Sequence, residues 1–185
     1  MTSSCVLWTI GHSTRPIDAF IDALRAREVE LLIDVRTIPR SHHNPQFNTE
    51  VLAGSLKNAG LTYMHMPSLG GLRRPRKDSI NGGWRNTSFR GYADYMQTDG
   101  FGKALEEIMA AGKKLRTAAM CAEMVPWRCH RSLIADALVS RNWSVFHIMS
   151  PDEAPPHRLS SFAKIEGSVL TYPKPVDSTG YPQLF

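Results

Sequence analysis

Between Cys121 and Leu138 the chain reads CAEMVPWRCHRSLIADAL, and two thiols, a carboxylate, a histidine and two arginines crowd into its first part. Cys129 stands among Arg128, His130 and Arg131. Positive side chains and the unpaired amides of a helix start favour thiolate over thiol, which is the condition for a nucleophile. The alternative is that Cys129 packs in the core, as free cysteines often do. Cys121 closes an apolar run, and its sulfur is either reactive or an inert packing group. Glu123 suits a general acid or base, and equally suits an ion pair with Arg128 or Arg131. With His12 and His130 these residues include donors for zinc. The spacing C-x7-C-H does not match the short paired loops of structural zinc sites, so no metal ligands are assigned.

The elements that must position these groups follow from periodicity. LRTAAM reads as a buried strand, and Leu133, Ile134, Ala137 and Leu138 mark one face of the helix behind the reactive loop. Upstream, CVLWTI predicts a first strand running into Gly11, His12 and Ser13. Ser13 or Thr14 is expected to cap a helix that starts at Pro16 and turns Ile17, Phe20, Ile21 and Leu24 inward. LLIDV predicts a second strand, ending on Asp34 and Arg36 before a turn-rich loop with Arg40, His42 and His43. A helix from Val51 to Ala59 stops at Gly60. TYMHM is a third strand, mixed in character and nearer an edge. From Pro67 to Arg90 no period holds, and a loop of that length inside a domain is functional or disordered. Tyr92 to Gly112 reads as helical, SVFHIM as a fifth strand, and Val169 to Tyr172 as a short terminal one.

This alternation predicts an α/β fold: a single domain with a mainly parallel sheet and helices on both faces, layered like a Rossmann fold. The expected domain is residues 1–173, with a loose tail at 174–185. Ligands bind at the carboxyl edge of such sheets. That edge gathers His12 and Ser13, then Asp34, Arg36 and Arg40, then the arginine-rich loop with Arg85 and Arg90, and finally Cys121, Glu123, Cys129, His130 and Arg131.

Composition narrows the classes. Apolar content of 42% with 21% charged residues is that of a globular chain rather than a disordered one. A net charge of +5 favours anionic partners, a small molecule or a nucleic acid. Three cysteines without an export signal suggest a reducing cytoplasm. No apolar run reaches membrane-span length. The G-x-G-x-x-G fingerprint, the Walker A sequence and G-x-S-x-G are all absent, so no dinucleotide, P-loop or serine-hydrolase chemistry is implied and the cofactor is unknown.

TIGHSTRPIDAF, LLIDVRTIPRSHHNPQFN, LGGLR, WRNTSFRGYADYM, MCAEMVPWRCHRSLIADAL and HRLSSFAKIEG..LTYP together resemble a bacterial family of uncharacterised proteins, domain of unknown function 488. The resemblance runs from Thr9 to about Pro173. It places His157 and Arg158 inside the family pattern and implies no established activity. LLIDVR, with a later strand ending in Cys and a helix opening with Arg-Ser, looks more faintly like rhodanese-type sulfurtransferases and cysteine phosphatases. By that likeness Cys121 would carry sulfur or phosphate inside a ring of backbone amides. Three functions are thus expected. The first is an enzyme on a phosphate-bearing or nucleic-acid-related substrate, in a crevice with Cys129 and Cys121, where Cys129 is the thiolate nucleophile or polariser, Glu123 and His12 carry protons, and Arg36, Arg85, Arg90 and Arg131 bind the anion. The second is a rhodanese-like thiol enzyme centred on Cys121. The third is a nucleic-acid-binding module that uses the Arg and aromatic loop 73–92.

Overall fold

Strand β1 (Val6–Gly11) is buried along almost its whole length, as a central strand of a parallel sheet must be. It is followed in chain order by α1 (Ile17–Arg25), β2 (Leu31–Asp34), α2 (Thr49–Asn58), β3 (Thr62–His65), α3 (Thr87–Tyr95), α4 (Asp99–Lys114), β4 (Thr117–Cys121), α5 (Arg131–Val139) and β5 (Ser144–Ile148). The five strands form one sheet in the order β3-β2-β4-β1-β5, and every pairing is parallel. The mixed strand β3 lies at an edge, with Thr62 and Met64 exposed. This computed structural model describes residues 5–175.

Alternation along the strands divides the core in two. Trp8, Ile10, Leu32, Ala118, Met120 and Ile148 face α1 and α2, where Phe20, Leu24, Leu52 and Leu56 complete one apolar layer. Leu7, Leu31, Ile33, Ala119 and Val145 face α4 and α5, where Phe101, Leu105, Ile108, Leu133 and Ile134 complete the other. The helices after β1 and β2 therefore cover one face, and the helix after β4, the strand between them, covers the opposite face. Divergence of this kind opens a crevice at the carboxyl ends of the strands.

Two boundaries differ from expectation. Helix α1 has no side-chain cap and begins directly behind Pro16. Ser13 takes a left-handed conformation (φ 47°) and donates its amide to the Ala122 carbonyl at 2.8 Å, so it serves the neighbouring loop instead of the helix. The helical stretch expected from Tyr92 to Gly112 is two helices. Met96 closes the first and Thr98 caps the second, its hydroxyl oxygen accepting from the Phe101 amide at 3.3 Å.

The long segment after β3 is ordered by one carboxylate. Asp94, buried on α3, accepts from the Arg76 amide at 2.8 Å, the Ser79 hydroxyl at 2.6 Å and the Asn81 side-chain amide at 2.8 Å. The expected terminal strand, β7 (Val169–Thr171), pairs antiparallel with β6 (Lys164–Glu166) in a hairpin apart from the main sheet. The tail expected at 174–185 lies, beyond residue 175, outside the described residues. Among the described residues no helix is long and apolar enough to cross a membrane.

Candidate active site

The loop that carries the reactive residues is clamped onto the end of β1. His12 donates its amide to the Cys121 carbonyl at 3.0 Å, extending the β1–β4 ladder past Gly11. Gly11 admits the loop: a Cβ there would lie 1.9 Å from the Glu123 carbonyl oxygen and 2.8 Å from Met124 Cα. The chain then makes a short 3-10 turn at Pro126–Arg128 and reaches Cys129, two residues before the first residue of α5.

Both sulfurs meet Arg131. Its Nε donates to Cys121 Sγ at 2.9 Å and its backbone amide to Cys129 Sγ at 3.4 Å. Cys121 and Cys129 are 2% and 4% exposed, and both border a cleft of about 480 Å³ with Thr37, Leu72, Phe89, Glu123, Arg128 and His130. Burial pushes both thiols up. At Cys129 burial is outweighed by the hydrogen bond from the Cys121 thiol and by the Arg131 guanidinium and amide, so its pKa falls below that of an ordinary thiol. At Cys121 burial prevails, reinforced by the hydrogen bond to Cys129, and its pKa rises well above the ordinary value. The two shifts run in opposite directions, so Cys129 is the more acidic thiol of the pair. His130 Nδ1 lies 3.5 Å from Cys129 Sγ, and burial lowers the His130 pKa.

Two of the arginines expected to hold an anion have internal partners. The Arg131 guanidinium, 1% exposed, also bonds the Thr9 hydroxyl at 3.2 Å, the Met124 carbonyl at 3.3 Å and, more closely, the Glu123 carbonyl. Arg36 grips Asp34 with two parallel bonds, Nε to Oδ1 at 2.9 Å and Nη2 to Oδ2 at 2.6 Å, and reaches the Phe47 carbonyl at 2.7 Å. Its Nη1 donates to His12 Nε2 at 3.1 Å. Since a guanidinium only donates, His12 is neutral and carries its proton on Nδ1, which donates to the Ser13 carbonyl at 2.8 Å. Burial, with Arg36 adding to it, pulls the His12 pKa down to about 4.

The remaining expected residues separate by location. Arg128 borders the cleft, while Ser13 and Arg40 line a smaller polar hollow of about 280 Å³ that adjoins it through Arg36, Ile38 and Ala122. The Glu123 side chain is exposed at the rim. Arg85 and Arg90 sit just before and within α3 and line neither space. Among the described residues no group of three or more His, Cys, Asp or Glu side chains is arranged to hold a metal ion.

The family model for domain of unknown function DUF488 matches residues 16–138, well over half of the chain. The chain belongs to the DUF488 family. No curated protein and no solved structure matches it. The matched span contains Cys121, Glu123, Cys129, His130 and Arg131, and stops short of His12 and Ser13 on one side and His157 on the other.

His157 belongs to a feature of this DUF488 chain that periodicity did not expose. From Arg131, the Thr9 hydroxyl is hydrogen-bonded to His147 Nδ1 at 2.7 Å, His147 Nε2 meets His157 Nδ1 at 2.9 Å, and His157 Nε2 meets Asp136 Oδ1 at 2.8 Å. The carboxylate only accepts, so the last bond runs from the His157 Nε2 proton to Asp136. Burial draws the His147 pKa down to about 3. Asp136 also accepts from the Tyr172 hydroxyl at 2.8 Å and from the Ser160 hydroxyl and amide at 2.7 and 3.0 Å. The available sequence signal was Asp136 itself, a carboxylate inside SLIADALV, a helix buried nearly all round.

Proposed function

We propose that this DUF488 chain is a cysteine-dependent enzyme in which Cys129 attacks an electrophilic centre of a small anionic substrate, of the phosphate-bearing class, lying in the cleft over the carboxyl edge of the sheet. The observation that carries this reading is the meeting of both thiols on Arg131 at the border of the cleft, where Cys129, which accepts from the Arg131 amide, is the more acidic of the two. Arg131 is a positioning residue, because its donors are committed to the sulfurs, Thr9 and two carbonyls. The substrate's charge falls to Arg128 at the cleft and Arg40 in the adjoining hollow. Glu123 at the rim is the group available to exchange protons with solvent. His12 has both ring nitrogens in internal bonds and contributes shape.

The sulfur-transfer reading centred on Cys121 has less support. An anion cradle presents backbone amides inward, whereas this loop turns the Glu123 and Met124 carbonyls onto a guanidinium. Binding of nucleic acid by the 73–92 loop is likewise less supported. Arg73 stacks on Tyr95 at 3.6 Å, Arg76 pairs with Asp78 at 2.8 Å, and Trp84 packs against Phe89, Phe162 and Tyr172.

Site-resolved alkylation tests the proposal. Treatment with iodoacetamide across a pH series, read by peptide mass spectrometry, should modify Cys129 with a midpoint well below the ~8.5 of a free thiol, and Cys121 only at higher pH. Replacing the neutral reagent by iodoacetate should raise the relative rate at Cys129, and added salt should remove that advantage. A Cys129 that titrates at or above ~8.5, or that stays unmodified throughout, would falsify the assignment.

A further inference from the structure

We propose that Cys121 and Cys129 form a dithiol pair that reduces small anionic disulfides, with Cys129 attacking and Cys121 resolving. The inference rests on the reading of Cys129 as nucleophile and adds a reaction class to it. Its basis is the placement of the two sulfurs on one residue: Arg131 reaches Cys121 through its side chain at 2.9 Å and Cys129 through its backbone amide at 3.4 Å. Both thiols also border the same cleft, so one substrate can meet both. The eight-residue step from one cysteine to the other contains only loop and the 3-10 turn Pro126–Arg128, so closing the sulfurs breaks no helix or strand.

In the first step the Cys129 thiolate attacks one sulfur of R–S–S–R. The substrate S–S bond breaks, R–S⁻ leaves and takes a proton from solvent, and Cys129–S–S–R forms. That step also activates the second thiol. While Cys129 is charged, burial, the hydrogen bond to Cys129 and the negative charge there together hold the proton on Cys121, against the pull of the Arg131 guanidinium. Once Cys129 is capped by R–S, the bond and the charge disappear, burial remains, and the guanidinium at 2.9 Å is left unopposed by any neighbouring negative charge on Cys129, so the Cys121 pKa falls from its resting value. Cys121 then releases its proton to solvent and attacks the Cys129 sulfur, the mixed bond breaks, and the second R–S⁻ departs to be protonated. Two electrons pass from the pair to the substrate, giving two R–SH and one Cys121–Cys129 disulfide. Cys5 takes no part. It is half-buried just before β1, at the opposite edge of the sheet, and serves as an internal reference.

The experiment is incubation of the full chain with oxidised glutathione, quenching with a neutral alkylating reagent, and peptide mapping without reduction. Trypsin cuts after Arg128 and so separates the two cysteines onto different peptides. The wild type should yield the Cys121 and Cys129 peptides joined by a disulfide, with Cys5 still alkylated. Cys121→Ser should stop at a Cys129–glutathione mixed disulfide, and Cys129→Ser should yield neither species at these positions. If Cys121→Ser does not fold, the wild-type map decides alone. A wild type that accumulates the Cys129–glutathione adduct without the internal bond overturns the dithiol pair and leaves Cys129 standing as a nucleophile. A Cys129 inert to both oxidised glutathione and iodoacetamide overturns both readings.

Discussion

His12 and His147 illustrate how strongly a buried setting constrains a residue. His12 faces Arg36, which can only donate, and His147 lies between the Thr9 hydroxyl and His157, while burial disfavours the charged form of both rings. Their folded pKa values, about 4 and about 3, lie below the ~6.5 of an unfolded histidine. Below pH ~6.5 the unfolded chain therefore binds more protons than the native one, and stability falls as the pH falls. The contribution is fully present above ~6.5 and is lost between there and the folded values, at about 1.4 kcal/mol per pH unit for each histidine. Urea unfolding at pH 7.5 and pH 5.0 should thus differ by several kcal/mol, with the lower stability at pH 5.0. Equal midpoints would mean that both rings take up a proton in the native state as readily as in the unfolded chain.

At the scale of elements, the site depends on how closely the β4–α5 loop crosses the end of β1. That approach is possible because Gly11 has no side chain, and its neighbours there are backbone atoms that cannot rotate away. Gly11→Ala should therefore displace the loop, lower stability by about 3 kcal/mol and change the alkylation rate of Cys129. Gly102 in α4 is the contrasting case. Nothing lies within 4 Å of a Cβ built there, and it occupies a helix interior. Gly102→Ala should raise stability by about 0.5–1 kcal/mol without altering Cys129 reactivity, as thermal melts of the two variants would reveal.

For the whole molecule, the segment after β5 is a structural part of the sheet's surroundings. Tyr172 joins it to Asp136 on α5 through its hydroxyl and to Asn81 through its amide, and Gln97 holds the Leu170 carbonyl at 2.7 Å. His157 adds the bond to Asp136 and, through its amide, one of 2.7 Å to the Val145 carbonyl of β5. Tyr172→Phe removes one donor from a buried carboxylate and should lower global stability by about 2 kcal/mol. Hydrogen exchange at β6 and β7 should speed up by the same factor as exchange in β5. Faster exchange confined to β6 and β7 would instead mark the segment as an independently opening unit.

Much of this architecture was legible in the chain itself. Apolar runs such as VLWTI and LLID, bounded by turn residues, determined the parallel strands, and their alternation with helices brought Gly11, Asp34 and Cys121 to one edge. The crowding of thiols and charges after β4 likewise followed from local order. Only the tertiary structure decided which of those charges are free. Arg131 and Arg36 read as anion-binding groups from their neighbours in sequence, yet their partners include Thr9, 122 residues from Arg131, and Phe47, 11 residues from Arg36. The Thr9–His147 bond spans 138 residues. Such pairings are set by strand register and by which face a side chain leaves, and the period of a single segment carries neither across the chain. The same holds for the two sulfurs: their spacing in sequence was plain, while their meeting on Arg131 arose from the packing of the loop over Gly11.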